Sequence, residues 1–270
     1  MINAHMGDSV VVGIDGSAAA VHAAHWAVDE AAARDVPLRL VSCTPLTDKS
    51  KSPGTDRLAT EYAATSLRAA LAAIEDDNTN VKMETALLDG DPSSVLIEES
   101  RHAAMVCVGS VGIGRVARAF LGSTAAEVAE GAFCPVAVIR GHAPHQPNKC
   151  GSIVVQVDDS ADNDRALTTA VAEAQTHAMP IIAVGECPPT TGISAGDELM
   201  RRTATLQTLH PDVEITAVPI TTGIPQFVES HPAPIQLVVL GAANAGALST
   251  LIGAHDRHDH HEFSVVVVHP

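Results

Sequence analysis

The chain has 270 residues, a length that suits one large domain or two small ones. Apolar residues make up 46% and charged residues 18%, a globular composition, while aromatics reach only 2%, so the core must be built from Val, Ile, Leu and Ala and stacking platforms for single-stranded nucleic acid are all but excluded. The net charge of −16, from 16 Lys and Arg against 32 Asp and Glu, repels nucleic acid and anionic membranes on average, and no apolar run is long enough for a membrane span.

The predicted elements in chain order are short Val/Ile runs alternating with helical patterns. Strands are expected at about 9–15, 37–43, 80–87, 104–109 and 135–140. Ser17 reads as the N-cap of a helix on which Val21, Ala24, Val28 and Ala31 share the apolar face. A second helix is expected over about 55–75, a third with Pro92 in its first turn, and a fourth after Gly122. The pattern then repeats. Val10 to Ser17 reads like Ile153 to Ser160, so Asp15 corresponds to Asp158 at an offset of 143, as Val41 does to Val184. Val106–Gly109 reads like Val238–Gly241 at an offset of 132, so the second copy is shorter by about 11 residues. The Pro/His/Asn-rich stretch 141–150 separates the copies, giving domains at 1–143 and 149–270. The fold class expected is α/β: two tandem, doubly wound domains, each a five-stranded parallel sheet. Up to Gly141 there are 11 basic and 18 acidic residues, and after it 5 and 14, so neither half reads as a nucleic-acid module.

Ligands of open α/β sheets collect beyond the carboxyl ends of the strands. Two such ends are chemically marked in the first copy. One carries Asp15, which could accept from ribose hydroxyls or an adenine amino group. The other opens the loop Gly109-Ser110-Val111-Gly112-Ile113-Gly114-Arg115, which leads to Gly122-Ser123-Thr124 at a helix start. Glycines let backbone N–H groups approach an anion, and a helix N-terminus with hydroxyls is a phosphate site. The glycines taken alone fit a tight turn before a capped helix equally well.

The spacing of Gly109, Gly112, Gly122 and Ser123 fits G-2x-G-9x-G-[S/T], and this resembles the ATP-binding signature of the universal stress protein family. The likeness extends to Val-Val-Gly-Ile-Asp-Gly-Ser at the start, to Trp26-Ala27 and to Cys134-Pro135-Val136, and the duplication resembles the tandem two-domain members found in bacteria. The motif is neither a dinucleotide fingerprint nor a Walker A loop. The resemblance implies strand order 3-2-1-4-5 and ATP as the ligand of the first copy. It implies Gly13 and Asp15 against the adenosine, and Val41 meeting adenine through its backbone. Gly109, Ser110, Gly112 and Gly114 would wrap ribose and phosphates, and Gly122, Ser123 and Thr124 would hold the phosphates. Position 111, often His or Arg in the family, is Val here, so Arg115 or Arg118 is expected to supply positive charge. Each of these Arg residues also fits a solvated face. Magnesium or manganese would suit a triphosphate, although no carboxylate cluster demands one.

In the second copy Asp158 keeps the acidic strand end, but Gly241-Ala242-Ala243-Asn244 replaces the first turn, and Ala254-His255 stands where Ser123-Thr124 stood. With phosphate donors lost and Asp159 in place of Gly16, weak or no ATP binding is expected there. His255, His258 and Asp259 share a helical face and could take Zn²⁺ or Ni²⁺, or could form a polar solvent-facing helix. The five cysteines are scattered and odd in number, which favours reduced thiols and a cytoplasmic location, and residues 1–7 do not read as a signal peptide. Cys43 and Cys134 read as core packing, and His22 and His25 as structural or surface residues. The function expected from the resemblance is an ATP-binding regulator of stress response, dormancy or growth control, with the nucleotide as sensor or switch. The alternatives are a slow ATPase or nucleotidyl-transfer enzyme, and a scaffold holding AMP, a cyclic nucleotide or nothing. The family likeness also implies pairing through the fifth strands, Val136–Arg140 and Val265–His269, within the chain or in a homodimer.

Overall fold

The structure is a computed structural model that describes residues 9–45, 53–75, 80–112, 121–140, 151–187, 194–253 and 263–269. The chain divides into two compact units, Met1–His145 and Gln146–Pro270. The first contains β1 (Ser9–Gly13), α1 (Ala18–Arg34), β2 (Leu38–Thr44), α2 (Pro53–Ile74), β3 (Met83–Asp89), α3 (Pro92–Glu99), β4 (Ala103–Gly109), α4 (Ser123–Gly131) and β5 (Val136–Ile139). Its strands are ordered β3-β2-β1-β4-β5 and every neighbouring pair is parallel. The second contains β6 (Ser152–Gln156), α5 (Asn163–His177), β7 (Ile181–Glu186), α6 (Ser194–Leu209), β8 (Ile215–Ile220), α7 (Ile224–Ser230), β9 (Ile235–Gly241), α8 (Leu248–Gly253) and β10 (Ser264–Val268). Its order is β8-β7-β6-β9-β10, again all parallel. Each unit therefore has the 3-2-1-4-5 arrangement that the resemblance implied.

The Val/Ile runs become central strands because both faces of a parallel sheet are covered by crossover helices. Val10, Val11, Val12, Met105, Val106 and Cys107 are all buried. The face of α1 turned to the sheet is small: Ala20, Ala23, Ala24, Ala27, Val28 and Ala31 are buried. Small side chains bring this helix close to the strands, which explains how a chain so poor in aromatics packs a core.

Two boundaries differ from expectation. β1 ends at Gly13, so Asp15 sits in the turn between β1 and α1 and not on the strand, although pairing reaches one residue further through the Ile14 N–H to the Val41 carbonyl at 2.7 Å. β3 runs over Met83–Asp89, later than expected, because it is an edge strand paired only to β2 and half exposed, so its apolar signal is diluted. The repeat reaches into backbone geometry as well. α1 and α5 both stop at a left-handed residue, Asp35 and Ala178, each at φ 53°, and these positions share the offset that relates Asp15 to Asp158.

Candidate functional site

In the first unit the turn after β1 is organised by Asp15 and Ser17. The Asp15 Oδ1 accepts the Ser17 N–H at 2.8 Å. Ser17, extended at φ −76° and ψ 157°, caps α1 by accepting the Ala20 N–H on its hydroxyl at 3.1 Å. Between them Gly16 takes φ +88°, a left-handed value that a residue with a Cβ rarely adopts. This local chemistry holds the Asp15 carboxylate at the mouth of the strand ends.

The second wall is the loop after β4. Its near end is fixed by the Ser110 N–H to the Ile139 carbonyl at 2.9 Å, and its far end returns through the Gly122 N–H to the Ser110 carbonyl at 2.8 Å. Gly122 is the extended N-cap of α4, φ −66° and ψ 147°, and it offers no capping side chain. The first N–H groups of a helix have no intrahelical acceptor, so those of Ser123, Thr124 and Ala125 are available to an anion beside the cleft.

These walls enclose a cavity of about 510 Å³. Of the residues expected in the site, Gly13, Asp15, Val41, Gly109, Gly112, Gly122, Ser123 and Thr124 line it. Ser110 is buried behind the surface, where both its backbone groups hold the loop. Gly114, Arg115 and Arg118 lie outside the described residues. The geometry changes the reading of two positions. A Cβ on Gly109 would stand 2.7 Å from the backbone carbon of Ala19, so this glycine is required by the packing of α1 on β4 whatever it offers a ligand. The Val41 carbonyl already accepts the Ile14 N–H, so one of its two lone pairs is taken. By contrast a Cβ on Gly112 would meet the Asp15 Oδ2 at 2.9 Å, which places the loop backbone against the carboxylate.

Sequence reading missed the third wall. Ala59, Tyr62 and Ala63 of α2 and Pro92 and Leu96 of α3 also line the cavity, with Cys43 and Pro45 at the end of β2. Spacing at i, i+3 and i+4 marks Ala59, Tyr62 and Ala63 as one helical face, but which face turns to the cleft is a tertiary fact. Among the described lining residues Asp15 is the one charged side chain. Burial, with the charges of Asp91 and Glu99, pushes the Cys43 thiol up to about 11, and burial pushes Cys134 up to about 12. Both thus remain thiols at neutral pH, which fits packing and not nucleophilic use.

The second unit builds the same turn and then fills the strand ends with its own polar groups. The Asp158 Oδ1 accepts the Ser160 N–H at 2.9 Å, as Asp15 does from Ser17. Its Oδ2, however, accepts the Asn244 side-chain amide at 2.7 Å. Asp162 stands where the first unit has Ala19; it is 3% exposed and accepts the Ala243 N–H at 3.2 Å. Burial acts to raise its carboxyl, but hydrogen bonds from Ser160 and from backbone N–H groups of Ala243 and Ala242 hold it below the usual carboxylate range. Arg202 of α6 donates to the Asp158 carbonyl and to the Asn163 Oδ1, each at 2.8 Å, and approaches Asp159 at 3.6 Å. The backbone donors of this loop are thus partly satisfied from within. His255, His258 and Asp259 lie outside the described residues. Among the described residues no helix is long and apolar enough to cross a membrane.

Comparison with known proteins agrees with this architecture. The model of the universal stress protein family matches residues 6–140. Universal stress protein Rv2624c of Mycobacterium tuberculosis is 44% identical over 262 residues, covering 96% of each chain. Universal stress protein Rv2028c of the same organism is 35% identical over 259 residues, covering 94% of this chain and 92% of its own. The crystal structure of a universal stress protein from Archaeoglobus fulgidus superposes with a TM-score of 0.73 at 16% identity over 98% of this chain and 97% of its own, a likeness of fold. Duplicated 3-2-1-4-5 sheets, a glycine loop after the fourth strand and relatives matched along nearly their whole length lead to one assignment: the chain belongs to the universal stress protein family.

Proposed function

We propose that the first lobe binds an adenine nucleotide, ATP in the first instance, and that its occupancy acts as a switch in a stress response. The observation that carries this reading is the convergence of Asp15, the Gly109–Gly112 backbone and the N-terminus of α4 on one cavity of about 510 Å³. The lining is chemically mixed: Val41, Ala59, Ala63 and Leu96 offer apolar surface that suits a base, and Gly112, Gly122, Ser123 and Thr124 offer amides and hydroxyls that suit phosphates. Asp15, with its Oδ2 against the Gly112 backbone, would accept from a ribose hydroxyl. A divalent ion would find Asp15 as the one carboxylate among the described lining residues, so phosphate oxygens and water would hold most of it. The Ser17 N–H on Oδ1 orients that carboxylate as an acceptor, an arrangement that suits binding. Ligand bound to one arrangement of the lobe stabilises that arrangement, which is sufficient for a switch.

The test is denaturing release of co-purified ligand, with nucleotide chromatography and titration, on wild type and Gly122→Glu. Among the described residues a Cβ at Gly122 would meet nothing closer than the Ser110 carbonyl at 3.4 Å, so these residues leave room for a side chain there, and its carboxylate would repel phosphates at the start of α4. Adenine nucleotide bound by the wild type and lost from the variant supports the reading. A wild type that carries and binds none sinks it.

A further inference from the structure

The chain has a single tyrosine, and it stands in the cavity wall. Tyr62 lies on α2 between Ala59 and Ala63, which offer only methyl groups; it lines the cavity and is 52% exposed. Its hydroxyl is seated over the Asp15 turn: a Cβ on Gly16 would stand 2.6 Å from the Tyr62 hydroxyl and 2.6 Å from the Ser66 Oγ. The turn that presents Asp15 and the ring that faces the cavity are therefore in register with one another. A second observation comes from the other lobe, where the counterpart of Gly16 is Asp159. The α6 residue that reaches that turn is Arg202, bound to the Asp158 carbonyl and the Asn163 side chain. The equivalent turn is thus met by an aromatic ring from α2 in the first unit and by a guanidinium from α6 in the second, where polar groups fill the strand ends.

We infer that Tyr62 is a base-contacting residue of the first-lobe cleft, its ring packing on the purine of a bound nucleotide while its hydroxyl sets the ring angle against the Gly16 turn. The inference rests on the nucleotide reading proposed above. An aromatic face suits a purine because every base has a π surface, and the interaction is lost when the ring is removed.

The experiment is an ATP titration of the full chain as wild type, Tyr62→Phe and Tyr62→Ala, with tyrosine emission followed in the wild type. Tyr62→Phe should bind within about threefold of wild type, Tyr62→Ala about tenfold or more weakly, and tyrosine emission should fall with the same midpoint as binding. If Tyr62→Ala does not fold, Tyr62→Leu keeps the bulk without the π face and takes its place. Loss of less than about threefold on removing the ring overturns the inference and leaves the nucleotide reading intact, and so does an equal loss in Tyr62→Phe. A wild type that binds no nucleotide overturns both.

Discussion

At Gly109 a Cβ would meet the Ala19 backbone carbon at 2.7 Å and its Cβ at 2.8 Å, whereas at Gly122 nothing among the described residues lies nearer than 3.4 Å. Two glycines of one motif thus answer to different demands. Gly109→Ala should destabilise the first lobe by about 1–3 kcal/mol through overpacking, read as a lower urea midpoint, while Gly122→Ala should stay within about 1 kcal/mol of wild type. The spacing made both visible as site residues, but only the approach of α1 to β4 separates a packing glycine from a loop glycine. Tyr62 carried no signal in the sequence for the same reason, since its value depends on how α2 is rotated against the strand ends. Cys43 lines the cavity with its thiol raised from 9.0 to about 11, so its thiolate fraction at pH 8 falls by about a hundredfold relative to an ordinary thiol. Alkylation of Cys43 should accordingly be far slower than that of a free cysteine at that pH. Labelling at the rate of a free thiol would contradict the described burial.

Among the elements, the central strands were legible because buried parallel strands are continuous Val/Ile runs, and α1 because Ser17 caps it as the sequence proposes. Edge strand β3 was displaced because half its residues face outward and share the polarity of a loop. The repeated left-handed helix stop was not legible, since Asp35 and Ala178 carry no glycine signature. Ala178 at φ 53° bears the cost of a Cβ in that conformation, so Ala178→Gly should stabilise the second lobe by about 1 kcal/mol in urea unfolding. In α6 the Arg201 and Arg202 side chains hold the half-buried Glu198 carboxyl at about 2 against an ordinary 4.5. Because this carboxylate is depressed in the folded state, its contribution is fully present above pH 4.5 and is lost as pH falls through about 2. The Arg202 Nε–H resonance should therefore titrate near that lower value and cease to do so in Glu198→Gln.

The whole molecule is a duplication whose copies keep one backbone plan and differ at the strand ends. Ala19 becomes Asp162, Gly16 becomes Asp159, and Val111–Gly112 give way to Ala243–Asn244. The sequence pointed to the loss of phosphate donors in the second copy. The structure adds that Asp162, Asn244 and Arg202 occupy that region with internal hydrogen bonds, which no local pattern announces because the partners are far apart in the chain. The acidity of both halves is then a general property of the chain, and the anion site proposed for the first lobe would be made by backbone N–H groups against that background. Saturating ATP should raise the melting temperature of the wild type and leave that of Gly122→Glu unmoved. The most direct test of the central claim is the stoichiometry of ATP binding at saturation by equilibrium dialysis. One nucleotide per chain is expected in the wild type and none in Gly122→Glu; two per chain, or one that survives Gly122→Glu, would contradict a single site in the first lobe.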